Sequence, residues 1–106
     1  MEETFKVIWA PRALIQLNQE IEFIALEYPK ASITILDKII ARVSQLEAHP
    51  KIGYPLPTEV DSTMGLRQLL LKPYRIIYRL DEAKKQATVL TILRQKRLLD
   101  LSQIEE

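Results

Sequence analysis

The stretch from Leu66 to Arg94, LRQLLLKPYRIIYRLDEAKKQATVLTILR, reads as three strands in succession. Leu66 to Lys72 is the first. In the second, Tyr74 to Leu80, side chains alternate between faces, so Tyr74, Ile76, Tyr78 and Leu80 share one side and Arg75, Ile77 and Arg79 the other. Lys72-Pro73 makes a tight connection between them, and Pro73, which cannot donate a ladder hydrogen bond, belongs to the turn. Asp81 to Lys85 is a polar hairpin loop. Ala87 to Leu93 is the third strand, with Val89, Thr91 and Ile92 favouring extended backbone.

Upstream, Phe5 to Trp9 is β-branched and aromatic enough to form one more strand. Pro11 suits a first helical turn, where its missing N–H has no partner to lose. From there Leu14, Leu17, Ile21, Ile24 and Tyr28 recur at steps of three and four, the spacing of an apolar helical stripe that Pro29 closes. A second stripe, Ile33, Leu36, Ile39, Ile40, Val43 and Leu46, ends before His49-Pro50. With so short a link, the two helices form an antiparallel hairpin. Pro50 to Gly65 holds both glycines and three prolines and reads as a loop, the glycines serving backbone conformations closed to other residues. The tail Gln95 to Ile104, with Leu98, Leu99, Leu101 and Ile104, fits a short amphipathic helix.

The order β-α-α-β-β-β-α predicts a two-layer α+β domain, a helical hairpin packed on a small, mainly antiparallel sheet. One such domain occupies residues 1–106, because a chain of 106 residues has room for a single modest core. Cysteine is absent, which excludes disulfides and thiolate chemistry, and the acidic start Met1-Glu2-Glu3-Thr4 does not resemble a secretory signal. No apolar run reaches the roughly 20 residues that span a bilayer, so a cytoplasmic location without membrane contact is expected. One histidine and scattered carboxylates predict no metal, and no phosphate loop or other cofactor signature is present.

The net charge of +1 hides a split. Nine basic residues stand against Asp81 and Glu82 between Met64 and Arg97, whereas six basic residues face nine acidic ones before Met64. Such polarity suits an anionic partner, nucleic acid or an acidic protein segment; it equally suits strand positions carrying solvated Arg and Lys. Neither hairpin helix has a basic face, so sequence-specific DNA reading by an inserted helix is not expected.

Four phrases, in this order, resemble the RelE/ParE superfamily of toxins. They are Ala10-Pro11-Arg12-Ala13-x-x-x-Leu17, Leu46-x-x-His49-Pro50-x-x-Gly53-x-Pro55, Leu66-Arg67 with Pro73-Tyr74-Arg75-Ile76-Ile77-Tyr78-Arg79, and Val89 to Arg97. The resemblance is nearer to the ParE-like branch and covers nearly the whole chain. It implies a bacterial or archaeal type II toxin whose work is growth inhibition or plasmid stabilisation, neutralised by a cognate acidic antitoxin. It leaves two targets open. ParE-like relatives bind DNA gyrase through protein contact, without chemistry of their own. RelE-like relatives are mRNA interferases that cleave mRNA on the ribosome. An inactive relative kept as a binding or regulatory module is a third possibility, because many relatives carry His where Arg94 stands here.

For RNA cleavage the resemblance points to Arg67, Arg75, Arg94, Lys96 and Arg97, since guanidinium groups can hold a phosphate and offset its developing charge. No general base is evident: no tyrosine follows Tyr78, and His49 sits at a helix end, where it suits the C-terminus. Gyrase inhibition is therefore the expected activity. Target or antitoxin contact is expected from Arg67, Arg75, Arg79, Arg94, Lys96, Arg97, Leu98 and Leu99, while Trp9, Tyr74 and Tyr78 are expected in the core.

Overall fold

A computed structural model describes residues 4–56 and 65–94. The elements are β1 (Lys6–Trp9), α1 (Pro11–Ala25), α2 (Pro29–Ser44), a one-turn 3-10 helix (Gln45–Glu47), β2 (Tyr54–Pro55), β3 (Leu66–Leu71), β4 (Tyr74–Asp81) and β5 (Gln86–Arg94). They build one mixed sheet in the order β1-β5-β4-β3-β2. β3, β4 and β5 form the expected antiparallel meander, and β1 joins β5 in parallel, Trp9 opposite Val89. The α+β two-layer architecture follows the sequence reading. The segment read only as loop, Pro50 to Gly65, carries a correction: Tyr54–Pro55 adds a fifth strand antiparallel to β3, with Pro55 at the sheet edge where its missing N–H costs no ladder bond. The tail helix expected over Gln95 to Ile104 lies outside the described residues.

Both helices open on proline at the first helical position, and neither has a side-chain cap. Proline removes one of the N–H groups that a cap would have to satisfy. α1 stops at Ala25, and Tyr28 lies in the short link with its side chain exposed. The main core forms between the hairpin and one face of the sheet. Ala13, Leu17, Ile39, Val43 and Leu46 meet Leu69, Tyr74, Ile76, Tyr78, Ala87, Val89 and Ile92 there, with Trp9, Ile21, Leu36 and Leu80 partly buried against them. The expected stripes are thus only half right. Leu14, Tyr28, Ile33 and Ile40 are exposed, and fully buried Ala13 takes the contact next to Leu17 that Leu14 was expected to make.

A smaller cluster, Ala10, Leu66, Ile77 and Leu90 with Leu56 against it, lies on the other face. It depends on a bulge in β5. Ile77 pairs with Thr91 and Tyr78 with Val89, so Leu90 is the extra residue and turns to this cluster while Val89 and Ile92 stay in the main core. Gly65, the residue before β3, has φ +67°, and a Cβ there would stand 2.6 Å from the Leu80 carbonyl oxygen. The two-residue connection between β3 and β4 contains a cis Lys72–Pro73 peptide.

Candidate interaction site at the two corners of the sheet

The register divides the described site arginines between two faces. Arg67 pairs with Tyr78 and Arg94 with Tyr74, which places both on the helix side of the sheet. Arg75 and Arg79 alternate with those tyrosines and lie on the opposite face, where Arg75 donates from Nε to Gln68 Oε1 at 3.0 Å. Sequence reasoning grouped the four as one basic set; the structure does not bring them together. Lys96, Arg97, Leu98 and Leu99 lie outside the described residues.

At the first corner, Arg67 ties down the loop that leaves α2. Its Nη1 donates to the Gly53 carbonyl at 2.7 Å and the Lys51 carbonyl at 3.3 Å. Tyr78 lies fully buried beneath, donating its hydroxyl to the Pro50 carbonyl at 2.6 Å and accepting from the Gly53 N–H at 3.1 Å. Burial pushes the Tyr78 phenol up from its ordinary pKa, against smaller opposing contributions led by the Gly53 hydrogen bond. Gly53 is required for closeness rather than for an unusual φ: a Cβ would meet the Gln68 carbonyl oxygen at 2.6 Å and the Tyr78 ring and hydroxyl at 2.7 Å. His49 belongs to the same loop, its side chain exposed and its N–H donated to the Gln45 carbonyl at 2.9 Å. This last bond continues the helical turn, in keeping with a residue at a helix end.

At the second corner, β5 runs on beyond its last β1 partner, Trp9 against Val89. α1 supplies what a neighbouring strand would have supplied. Gln16 Oε1 accepts from the Ile92 N–H at 3.0 Å and from the Thr91 hydroxyl at 2.7 Å. One helical turn later, Glu20 Oε1 forms an ion pair with Arg94 Nη2 and accepts from the Tyr74 hydroxyl at 3.1 Å. The Arg94 guanidinium lies 5.7 Å from the centre of the Tyr74 ring, within cation–π range. Gln16, Glu20, Tyr74, Ile92 and Arg94 line a small polar cleft of about 90 Å³. Burial, then the charge and hydrogen bond of Glu20, raise the Tyr74 phenol to about 12 despite the opposing charge of Arg94. Gln16 and Glu20 were not singled out in the sequence. Their only signal is a polar pair four residues apart flanking an apolar stripe, which many solvated helix faces share.

Among the described residues no helix is long and apolar enough to cross a membrane, and no group of three or more His, Cys, Asp or Glu side chains gathers as metal ligands.

A helical hairpin on one face of a mixed β1-β5-β4-β3-β2 sheet is the architecture of RelE/ParE-like toxin folds. Residues 7–99 match the family described as the ParE toxin of type II toxin–antitoxin system, parDE. The chain belongs to this ParE family of type II toxins. No curated protein matches it. Among solved structures it is similar to the chromosomal ParDE system of P. aeruginosa, with TM-score 0.70 and 22% identity over 86% of this chain and 96% of that one. The RelBE2 toxin–antitoxin complex of Mycobacterium tuberculosis gives 0.60 and 18% over 86% and 98%. The intact E. coli RelBE toxin–antitoxin complex gives 0.61 and 14% over 88% and 99%. At these identities the likeness speaks to the fold.

Proposed function

We propose that this toxin inhibits DNA gyrase through protein–protein contact, performs no chemistry of its own, and is neutralised by an acidic antitoxin that folds on it. The observation that carries this reading is the apolar surface left on the helical hairpin. Ile15, Phe23, Leu26, Tyr28 and Ile33 are 57 to 82% exposed, and Leu14 and Ile40 are close to half exposed. Seven of the ten large apolar side chains exposed among the described residues lie on the hairpin and its link, which supports a protein interaction surface there. A partner helix with an apolar stripe suits such a surface, and acidic flanks on that partner suit the basic second half of the chain.

The arrangement of the arginines supports the same reading. Cleavage by a 2′-hydroxyl needs an acid, a base and phosphorane-stabilising charge around one phosphate. Here Arg67 is directed at loop carbonyls, Arg94 at Glu20, and Arg75 at Gln68 on the other face. Both β4 tyrosines have raised pKa values and hydroxyls already in hydrogen bonds, which suits packing better than proton transfer at neutral pH.

Induction of the chain alone in a bacterial host, with DNA and protein synthesis pulse-labelled separately over the first minutes, tests the proposal. Early loss of DNA synthesis, reproduced as inhibition of purified gyrase, is the expected result. Early loss of protein synthesis with cleaved mRNA would instead make the chain a ribosome-dependent endonuclease, with Arg67 and Arg75 the first residues to exchange. Unimpaired growth would make it an inactive binding module. Exchange of Arg75 and Arg79 together for Glu is expected to weaken antitoxin binding or abolish growth inhibition; if both persist, that face is not the working surface.

A further inference from the structure

Arg94 is the last residue of β5, and two side chains, themselves hydrogen-bonded to each other, hold it on the helix side of the sheet. Glu20 pairs with its guanidinium, the Tyr74 ring lies beneath it, and the Tyr74 hydroxyl donates to the same Glu20 oxygen. Gln16 secures the strand three and two residues earlier, through the Thr91 hydroxyl and the Ile92 N–H. The Arg94 and Glu20 side chains are 46% and 27% exposed, so the guanidinium stays accessible while its carboxylate anchor is mostly covered. The Arg94 side chain thus keeps nearly half of its surface open with its anchors in place, so it can meet a partner without releasing them.

We propose that Glu20 is a positioning residue, which with Tyr74 and Gln16 holds the end of β5 against α1 and presents Arg94 in one pose to a protein partner. This goes beyond the family reading by assigning roles to α1 side chains, and its functional side rests on the chain being a growth-inhibiting toxin. Glu20 could in principle do the opposite and neutralise Arg94, keeping it from a partner. The two roles differ in sign. A positioning carboxylate helps the partner contact, so its removal weakens inhibition; a masking carboxylate hinders it, so its removal strengthens inhibition.

Two measurements decide. Limited trypsin digestion of the purified chain compares cleavage after Arg94 with cleavage after Lys84 and Lys85 in the β4–β5 loop of the same molecule. Glu20→Gln is expected to speed cleavage after Arg94 about fivefold relative to that internal reference, with the thermal midpoint little changed. Equal acceleration at both places, or none at Arg94, would overturn the proposal. The second measurement is growth inhibition by induced variants. Glu20→Gln and Arg94→Ala are each expected to reduce it, and the double variant is expected to be no worse than Arg94→Ala alone, because the carboxylate acts through the guanidinium. Additive losses, or stronger inhibition by Glu20→Gln, would refute the positioning role. If the unaltered chain does not inhibit growth, the toxin reading falls by itself, and the trypsin comparison still decides whether Glu20 holds Arg94.

Discussion

Tyr74 and Tyr78 lie four residues apart on one face of β4, both buried and both hydrogen-bonded through their hydroxyls, yet they anchor different kinds of structure. Among the described residues Tyr78 bonds to backbone, the Pro50 carbonyl and the Gly53 N–H, in a knot closed by Arg67 on two further carbonyls. Tyr74 bonds to a carboxylate that also holds an arginine at the protein's surface. Backbone partners cannot move without unfolding the loop, whereas side-chain partners can exchange with solvent or with another protein. The first corner is accordingly built for stability and the second for presentation.

That contrast is open to breaking, and the largest effect is expected where there is least room. Gly53→Ala forces a Cβ against the Gln68 carbonyl and the Tyr78 ring, two places that cannot both yield, and is expected to cost about 3 kcal/mol in denaturant unfolding. Tyr78→Phe leaves the Gly53 N–H and Pro50 carbonyl without their partner and is expected to cost about 2 kcal/mol. Arg67→Ala removes two bonds to loop carbonyls from a half-buried position, and a loss of about 1 kcal/mol with growth inhibition otherwise intact would confirm its structural role. If Arg67→Ala instead abolishes inhibition without loss of stability, the first corner is a contact site and the contrast fails.

At the second corner the expected signature is in pH rather than in size. The folded state holds Tyr74 protonated up to about 12, whereas the unfolded chain releases that proton near 10. Between these values the native state binds more protons, so this contribution is complete below pH 10 and is lost as pH rises towards 12. Tyr74→Phe should flatten that alkaline decline in thermal midpoint while changing neutral-pH stability little. Raised Tyr78 adds to the decline in both proteins, so the difference between them isolates Tyr74. The smallest effect is expected for Glu82→Gln. The Lys51 hydrogen bond and charge hold the Glu82 carboxyl below its usual range, but the pair at 2.7 Å is exposed on both sides, and the thermal midpoint should not move.

Much of the fold could be read from local pattern. The alternation in Tyr74 to Leu80 placed both tyrosines and Ile76 in the core, and Pro11 and the spacing after it located the hairpin. The helix stripes were harder. Apolar residues wrap more than one side of each helix, and spacing alone does not say which side meets the sheet; Leu14, Ile33 and Ile40 fit the period and remain exposed, while Ala13 is fully buried. β2 escaped notice because two residues carry no periodicity. The candidate site was legible only as residue types. Arg67, Arg75, Arg79 and Arg94 were visible as a basic set, but Gln16 and Glu20 were indistinguishable from a solvated helix face.

By itself the sequence determined the element order, the α+β class, the alternation of core and polar residues along β4, and the concentration of positive charge in the second half. These follow from periodicity and side-chain chemistry, which act over a few neighbouring residues. Only the tertiary structure decided that Arg67 and Arg94 share the helix side while Arg75 and Arg79 face away, that the bulge at Leu90 serves both clusters, and that Glu20 meets Arg94 across 74 residues of chain. Those outcomes depend on strand register and on the placement of α1 over the end of β5. Both are set by long-range packing of whole faces, which no local pattern encodes.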